Sequence, residues 1–291
     1  MVYSCCTYTS PDNSFFYHHT VTTAEASPDE PRPNDKNFLI VPSETHYRYE
    51  MLYLIKGDLE YIIEDGKYNL SPGDLILVDS YELHRLKIDL NNGPYERIVM
   101  QLSPELLPAS LSYLINPFIL DGNQNKRILS RQALKGSGTK EILLNIQKNC
   151  QSGGPFLFPM IVSDVIRLLT GLNRVVQTAK AEKDPLPANP VIKSIIDYVR
   201  QNLDKKISTD TIAKALYLSS SYLCHTFKKY MGVSLNYYIT LKKLQFAQYY
   251  ISQGMSAQEA SAKAGWAYYS SFFYSYKKIM GHAPSKQKNT K

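Results

Sequence analysis

The chain of 291 residues lacks several features that define large classes of protein. Its four cysteines, Cys5, Cys6, Cys150 and Cys224, form no C-x-x-C pair, which excludes a disulfide scaffold and argues against a zinc ribbon. No apolar run approaches the roughly 20 residues that a membrane helix needs. The N-terminus shows neither the basic nor the apolar part of a secretory signal. We therefore expect a cytoplasmic protein with reduced thiols and no membrane partner.

Acidic residues are scarce in the C-terminal part of the chain. From residue 185 onward, 15 Lys and Arg stand against 4 Asp and Glu, a net charge of +11. The 184 residues before them carry 18 basic and 22 acidic side chains, a net charge of −4, so the overall +7 comes from the C-terminal part. This asymmetry favours a small polyanion-binding domain behind a second domain, with a merely solvated helical surface as the alternative.

Tryptophan is almost absent, with one residue, whereas tyrosine is abundant, with 23. The apolar fraction of 44% supplies enough core material for folded domains and argues against general disorder. At about 100–200 residues per domain, the length predicts two domains.

The basic part of the chain contains an internal repeat. Residues 207–232 match the sequence 49 positions later, with eight identities in 26 positions. Ser208 can cap the first helix of unit one, and Ser256 with Glu259 is the capping-box pattern for unit two. Gly232 and Gly281 are placed to end the second helix of each unit. The repeat therefore predicts two helix-turn-helix units, near 208–231 and 256–280.

Two further helices are predicted around these units. Asn189 and Pro190 can start an amphipathic helix over Val191–Leu203. Ser234 can start a long helix from Leu235 to about Gln253. Its expected core positions, which would fix the two units to each other, are Tyr238, Leu241, Leu244, Ala247 and Tyr249.

Residues about 190–286 resemble the DNA-binding domain of the AraC/XylS family. The resemblance rests on the runs Phe227-Lys228-Lys229-Tyr230-Met231-Gly232 and Ala264-Gly265-Trp266, and on Gly281-His282-Ala283-Pro284. It implies seven helices, with two recognition helices that enter successive major-groove segments. The positions carried over as base contacts are Ser221, Cys224, His225, Tyr269, Ser270, Ser271 and Tyr274. Those carried over as phosphate contacts are Lys228, Lys229, Lys277 and Lys278.

This chain departs from the family where Arg is usual in the middle of each recognition helix. His225 and Tyr274 stand there, so bidentate readout of guanine by Arg is unavailable at both positions. For His225, a solvent-facing side chain without a DNA contact is the alternative. For Tyr269 and Tyr274, the alternative is packing on the protein surface, and for the lysines a solvated basic face.

Short β-like runs separated by turn signals extend from Asn37 to about Gln101, which predicts a β-barrel or sandwich. The runs are Phe38–Val41, Glu50–Ile55, Leu59–Ile63, Leu75–Val78 and Arg97–Leu102. The spacing His46-x3-Glu50-x6-Gly57, followed by Pro72-Gly73-Asp74 and His84, resembles the cupin fold that precedes AraC-type domains as a sensor. By that resemblance, His18 and His19 belong to an N-terminal arm that covers the barrel mouth.

The resemblance offers His46, Tyr49, Glu50 and His84 as ligand-binding residues. His46, Glu50 and His84 also match three of the four ligands of a metal-binding cupin, whose first His is Glu44 here. Contact with an organic ligand or a structural lining of the barrel is favoured over metal, so we expect no cofactor. Tyr47, Tyr49, Tyr53 and Tyr61 suit a sugar-like or phenolic ligand as well as they suit packing.

Residues 104–180 have helical patterns at Leu106–Leu114, Lys140–Lys148 and Phe156–Val176. The last carries an apolar stripe, which is either intramolecular core or a dimer seam, and the family favours the seam. The stripe consists of Ile161, Val165, Leu168, Leu169, Leu172 and Val176. A polar, Pro-containing linker follows.

We therefore predict an α+β protein of two domains. A cupin-like β-barrel, or double-stranded β-helix, spans 1–103, a helical dimerisation region 104–180, a linker 181–189, and an all-α AraC-type DNA-binding domain 190–291. The function expected is a non-enzymatic, ligand-responsive transcription regulator, such as an activator. Its partners would be promoter DNA, a small-molecule effector, a second copy of the chain and RNA polymerase. The rival functions are a metal-dependent cupin enzyme with an accessory DNA domain and a ligand-independent architectural DNA binder.

Overall fold

The computed structural model describes residues 2–23, 38–41, 43–90, 93–119, 127–178, 186–187 and 189–284. The chain divides into two compact units, Met1–Leu186 and Pro187–Lys291. Most of the expected linker over 181–189 lies outside the described residues. Within the described ranges, no helix has the length and apolar character needed to cross a membrane.

The N-terminal unit is built from two β-sheets. Its strands are β1 Val2–Thr9, β2 Phe15–Thr22, β3 Phe38–Ile40, β4 Tyr49–Lys56, β5 Asp58–Ile63, β6 Gly66–Leu70, β7 Leu75–Val78, β8 His84–Asp89, β9 Tyr95–Leu102 and β10 Ile128–Leu129. The two-residue strand β11, Leu186–Pro187, falls at the division between the units. One sheet has the order β1-β2-β9-β4-β7-β10 and the other the order β11-β6-β5-β8-β3. The strand pairs with a described register are all antiparallel. The expected cupin-like fold is confirmed.

Strand β4 shows how alternation along a strand builds two separate cores. Its side chains Leu52 and Leu54 join Tyr61 and other residues of the second sheet in the core between the sheets. Met51 and Tyr53, on the opposite face, pack into the core shared with the helices. Because successive side chains of a strand point to opposite faces, a single strand serves both layers.

The prediction that His18 and His19 lie in an N-terminal arm is wrong. Both residues lie in β2, which pairs with β1 on one side and with β9 along its whole length on the other. The segments VYSCCTYT and FFYHHTVT are rich in Tyr, Phe, Thr and Val, which favour strands. They contain few aliphatic residues, however, so the hydrophobic pattern alone does not mark them as strands.

The apolar stripe predicted as a dimer seam lies inside a single chain. Helix α1 spans Thr139–Ser152 and α2 spans Leu157–Thr178. The stripe from Ile161 to Leu172 is fully buried against the first sheet and α1, and Val176 is half-buried there. The seam prediction is therefore wrong for these residues. The helix expected over Leu106–Leu114 is instead two 3₁₀ segments, Pro104–Leu106 and Ala109–Ile115, separated at Leu107 and Pro108.

The C-terminal unit is all-helical. Its helices are α3 Pro190–Gln201, α4 Thr209–Ala215, α5 Ser220–Met231, α6 Leu235–Ser252, α7 Ala257–Lys263 and α8 Tyr269–Met280. Residues 189–284 thus hold six α-helices, one fewer than the family resemblance implies, and residues 285–291 lie outside the described part of the chain. The two helix-turn-helix units are α4–α5 and α7–α8.

Local sequence signals fix the boundaries of these helices. Ser208 and Ser256 each close a capping box, with Thr211 and Glu259 respectively. Gly232 and Gly281 end α5 and α8 in the left-handed region, with φ near +77° and +80°. The predictions of these starts and stops are confirmed.

The connecting helix α6 packs as predicted, with one exception. Tyr238, Leu241, Leu244 and Ala247 are fully buried. Tyr249 is 58% exposed, so its assignment to the core is wrong. Its neighbour Ile251 fills the corresponding position near the end of the helix.

Candidate ligand site and nucleic-acid interface

A buried polar group lies between the two sheets of the N-terminal unit. Glu50 is on the inward face of β4, beside Leu52, and is 3% exposed. His84 begins β8 and is also buried, and its backbone pairs with Glu44. His46 precedes β4 and is half-buried. The cupin-like spacing thus brings His46, Glu50 and His84 together.

The Glu50 carboxylate is the centre of this group. One of its oxygens lies 3.0 Å from His46 Nε2 and accepts a hydrogen bond from Gln101 Nε2 at 2.8 Å. The other oxygen accepts from the Tyr61 hydroxyl at 2.8 Å and lies 3.9 Å from His84 Nε2. Both carboxylate oxygens are therefore satisfied, which a buried charge requires.

The electrostatics of the group are set by these contacts. Burial raises the pKa of Glu50, but the hydrogen bond from His46 and the charge of His84 outweigh burial and bring the pKa to about 2. Burial lowers the pKa of His84, but the Glu44 carboxylate and the charge on Glu50 outweigh it and bring the pKa to about 9. At neutral pH the group therefore holds an ionised Glu50 and a protonated His84.

One buried donor in this group remains unused. His84 Nδ1 donates to the Glu82 carbonyl, while His84 Nε2 makes no hydrogen bond and is 3.5 Å from the nearest Glu44 oxygen. A buried N–H without a hydrogen bond costs stability even at ion-pair distance from a carboxylate, so His84 Nε2 is a donor that a bound ligand could use.

Tyr49 does not join the group, which corrects its inclusion among the ligand residues. It lies on the opposite face of β4 from Glu50, where its ring packs 5.4 Å from that of Phe118. Tyr53 lies on that same helix-facing side. Of the tyrosines singled out from the sequence, Tyr61 reaches the carboxylate.

Two residues of the inner face escaped the sequence analysis. Gln101 and Arg97 are on β9 in alternation with Ile98 and Met100, which face the helices. Their side chains consequently share the inner face with Val99. The alternation of β9 is a signal that could have identified them, because Arg and Gln are unusual on a strand face that otherwise carries Tyr95 and Val99 in the core.

The side chains of His18 and His19 lie on opposite faces of the sheet, because the two residues are consecutive in β2. His19 faces the helices and contacts Gln147 on α1 and Glu96 on β9. His18 lies on the other face, beside Phe16, and its pKa is lowered by burial and by the charge of Arg97. Only His18 therefore belongs to the inner face of the barrel.

In the C-terminal unit, the two recognition helices α5 and α8 bury one face and expose the other. Leu223 and Phe227 of α5, and Phe272 and Tyr276 of α8, are fully buried, as predicted. All of the expected base-contact residues are exposed except Cys224, which is half-buried. The full set is Ser221, Cys224, His225, Tyr269, Ser270, Ser271 and Tyr274. The four expected phosphate contacts, Lys228, Lys229, Lys277 and Lys278, are exposed.

The two tyrosines of α8 differ in their surroundings. The Tyr269 ring packs 5.9 Å from Phe272 and 6.1 Å from Phe273, and the side chain is 40% exposed. Tyr274 is 70% exposed and free to reach outward. Packing on the protein surface therefore explains part of the position of the Tyr269 side chain, but it does not explain the exposed position of Tyr274.

Known families match both units. The AraC-like ligand binding domain matches residues 34–133, and a helix-turn-helix domain matches residues 212–290. Together these matches cover more than half of the chain, in the order expected. The chain belongs to the AraC/XylS family of transcription regulators. It is a ligand-responsive, DNA-binding regulator of transcription.

Relatives of this regulator match along most of its length. An uncharacterised helix-turn-helix transcriptional regulator, YdiP of Escherichia coli K12, is 21% identical over 81% of this chain and 77% of its own. The probable transcriptional regulator LumQ of Photobacterium leiognathi is 25% identical over 83% and 90%. Among solved structures, ToxT of Vibrio cholerae O395 is 15% identical, with a TM-score of 0.36, over 94% and 96%.

The regulator also holds three residues of the kind that bind metal ions. One ligand atom from each of His46, Glu50 and His84 lies within 4.8 Å of the others. They could hold an ion in the manner of a two-histidine, one-carboxylate site. The fit is imperfect, because the Glu50 oxygens are already bonded to Tyr61 and Gln101, and Glu44 replaces the first histidine of metal-binding cupins.

Proposed function

We propose that the regulator binds its effector between the two sheets, on the group formed by His46, Glu50 and His84. The observation that supports this site is the buried Nε2 atom of His84, which lacks a hydrogen bond inside an otherwise well-satisfied polar group. A sugar-like or other small polar metabolite would supply the missing partner. Its binding changes promoter affinity only as far as it favours one conformation of the regulator over another.

We also propose that α5 and α8 read promoter DNA through their exposed N-terminal halves. Cys224 and His225 in unit one, with Tyr274 in unit two, would contact base edges, while Lys228 and Lys277 near the helix ends would contact phosphates. The net charge of +11 in this part of the chain supports the electrostatic share of binding.

The proposal includes action as a homodimer in the cytoplasm, with contact to RNA polymerase at activated promoters. The fully buried stripe of α2 no longer supports a dimer seam. Support comes instead from apolar side chains left exposed at the start of α2, Phe156 at 71% and Met160 at 49%.

The test measures binding of the purified full-length regulator to fragments from upstream of its own gene and neighbouring genes. We expect a preference among fragments, an affinity that falls linearly with salt on a log–log plot, and a shift on adding effector. Equal affinity for all fragments at every salt concentration would contradict the proposal. An effector that stabilises the protein without changing fragment affinity would contradict the regulatory part.

A second candidate function is a metal-dependent cupin enzyme with an accessory DNA-binding unit. The observation in its favour is the convergence of His46, Glu50 and His84. Metal analysis of the purified protein and of a His46→Ala variant separates the two functions. Stoichiometric iron or manganese in the parent protein, lost in the variant, would favour the enzyme.

A further inference from the structure

Arg97 is a cation that points into the barrel. It lies on β9 between Tyr95 and Val99, which belong to the core between the sheets, whereas Ile98 on the opposite face packs against the helices. Its side chain is half-buried, and its Nε atom is enclosed without a hydrogen-bond partner. One guanidinium nitrogen donates to the Tyr95 hydroxyl at 3.3 Å, over whose ring the guanidinium also lies.

Among the described residues, no carboxylate lies within ion-pair distance of the Arg97 guanidinium, although the charge of Glu50 raises the pKa of Arg97 from farther away. The buried acid of the inner face, Glu50, already accepts hydrogen bonds from Tyr61 and Gln101 and contacts His46. Glu44, the other nearby acid, approaches His84 rather than Arg97 and is itself largely exposed. An enclosed guanidinium is rarely kept without an anion.

We propose that the effector carries an acidic group, a carboxylate or a phosphate, which binds the Arg97 guanidinium inside the barrel. This inference rests on the proposed function, because it names the class of effector for that same site. The planar guanidinium fits both groups, since its paired donors match two oxygens of either anion. The unused Nε atom supplies a donor for this pairing, and Tyr95 fixes the orientation of the guanidinium from the other side.

The test compares the full-length wild-type protein with R97M and with R85M. Arg85 is the matched control, because it lies on the outward face of strand β8 in the other sheet and its loss changes the net charge equally. The probes are pairs that differ in the acidic group: galacturonate with galactose, and glucose 6-phosphate with glucose, plus acetate and inorganic phosphate. Thermal unfolding and equilibrium binding are measured at constant ionic strength.

We expect at least one acidic probe to raise the unfolding temperature of the wild type and of R85M, with no effect of its neutral counterpart. In R97M the dissociation constant of that probe should rise about tenfold or more, because one partner of a buried charge pair is removed. The galacturonate and glucose 6-phosphate arms distinguish a carboxylate from a phosphate. Phosphate that binds the basic C-terminal unit affects all three proteins equally and cancels in the comparison.

The proposal is overturned if no acidic probe stabilises the wild type more than R97M. Measurements of promoter binding distinguish a failure of the acidic-effector proposal from a failure of the proposed sensing function. If a neutral sugar stabilises wild type and R97M equally and shifts promoter affinity, the sensing function stands and the acidic effector fails. If no stabilising probe changes promoter affinity, the sensing function itself fails.

Discussion

Glu50 holds together the polar group in the barrel, because its carboxylate contacts His46, Tyr61 and Gln101 and balances the charge of His84. The substitution Glu50→Gln removes that charge while keeping the shape of the side chain. We expect it to lower the free energy of unfolding of the N-terminal unit by on the order of 3 kcal/mol, since a buried histidine cation loses its counter-charge. Denaturant unfolding followed by fluorescence measures this loss.

The matched control for this substitution is Glu60→Gln. Glu60 lies on the outward face of β5 and pairs with Lys67 in partial contact with solvent. Pairs of this kind contribute at most about 1 kcal/mol. Equal effects of the two substitutions would show that Glu50 has no special role in the charge balance of the interior.

At the same scale, the sequence identified His46, Glu50 and His84 but misplaced Tyr49. The spacing of the cupin-like motif predicts which residues form the polar group, and His46, Glu50 and His84 do lie close together in the structure. Tyr49 and Glu50 are consecutive in a strand, so they cannot both face the interior. Arg97 and Gln101 were missed because they belong to a strand distant in sequence. Only the pairing of β9 with β4 places Gln101 opposite Glu50 and Arg97 opposite Leu54.

At the scale of the secondary-structure elements, Lys243 of α6 ties the two helix-turn-helix units to each other. Its ammonium group donates to the carbonyl oxygens of Lys205, before α4, and of Ala264 and Gly265, after α7. Gly265 has φ near +67° and lies so close that a Cβ atom would meet Lys243 Nζ at 2.7 Å. The relative position of the units therefore depends on this contact.

The substitution Lys243→Met leaves these carbonyl groups without their donor. We expect a loss of about 1–3 kcal/mol in the stability of the C-terminal unit. Promoter fragments that need both recognition helices should also bind more weakly, even under conditions where the variant is fully folded. The control is Lys242→Met, which removes the same charge from the next residue, whose ammonium lies over the Tyr238 ring. Stability and anisotropy measurements in which the two variants behave alike would contradict this role.

On the recognition helices, we expect the proposed base-contact residues to determine sequence specificity and the proposed phosphate-contact lysines to determine overall affinity. Tyr274→Ala and His225→Ala should each relax base preference at one operator position, by about 1–3 kcal/mol of discrimination. Lys228→Gln should weaken binding to all fragments alike and reduce the salt slope by about 1. Tyr249→Ala on α6 is the control for Tyr274, because its side chain is similarly exposed outside the recognition helices. Competition binding to a set of operator variants measures these effects, and an unchanged base preference in both alanine variants would contradict the assigned contacts.

The secondary-structure elements could be predicted from the sequence where their boundaries depend on residues close together in the chain. The capped helices of the C-terminal unit could be placed from Ser208, Ser256 and the ending glycines, because caps act within a few residues. The stripe on α2 shows where this reasoning stops. Its periodicity states that one face is apolar, but the same pattern fits a partner helix or the protein's own sheet.

At the scale of the whole molecule, the proposed homodimer cannot depend on the buried stripe of α2, so its contact would have to use another surface. Phe156 and Met160 lie one helical turn apart, 71% and 49% exposed, and Leu144 of α1 is 40% exposed. Exposed apolar groups of this size are typical of contact surfaces between proteins. We expect the double substitution Phe156→Ser and Met160→Ser to weaken self-association by about tenfold or more, because two apolar anchors are lost.

Light scattering across a range of protein concentrations measures this association directly. The control is Tyr113→Ser, which removes an aromatic side chain of similar exposure, 58%, from the 3₁₀ segment Ala109–Ile115. Because the proposed homodimer would bind two half-sites together, the double variant should also lose affinity for promoter fragments that contain two half-sites while keeping its affinity for a single half-site. A chain that remains dimeric after the double substitution would show that the contact lies elsewhere, and a wild-type protein that stays monomeric on promoter DNA would remove the homodimer from the proposed function.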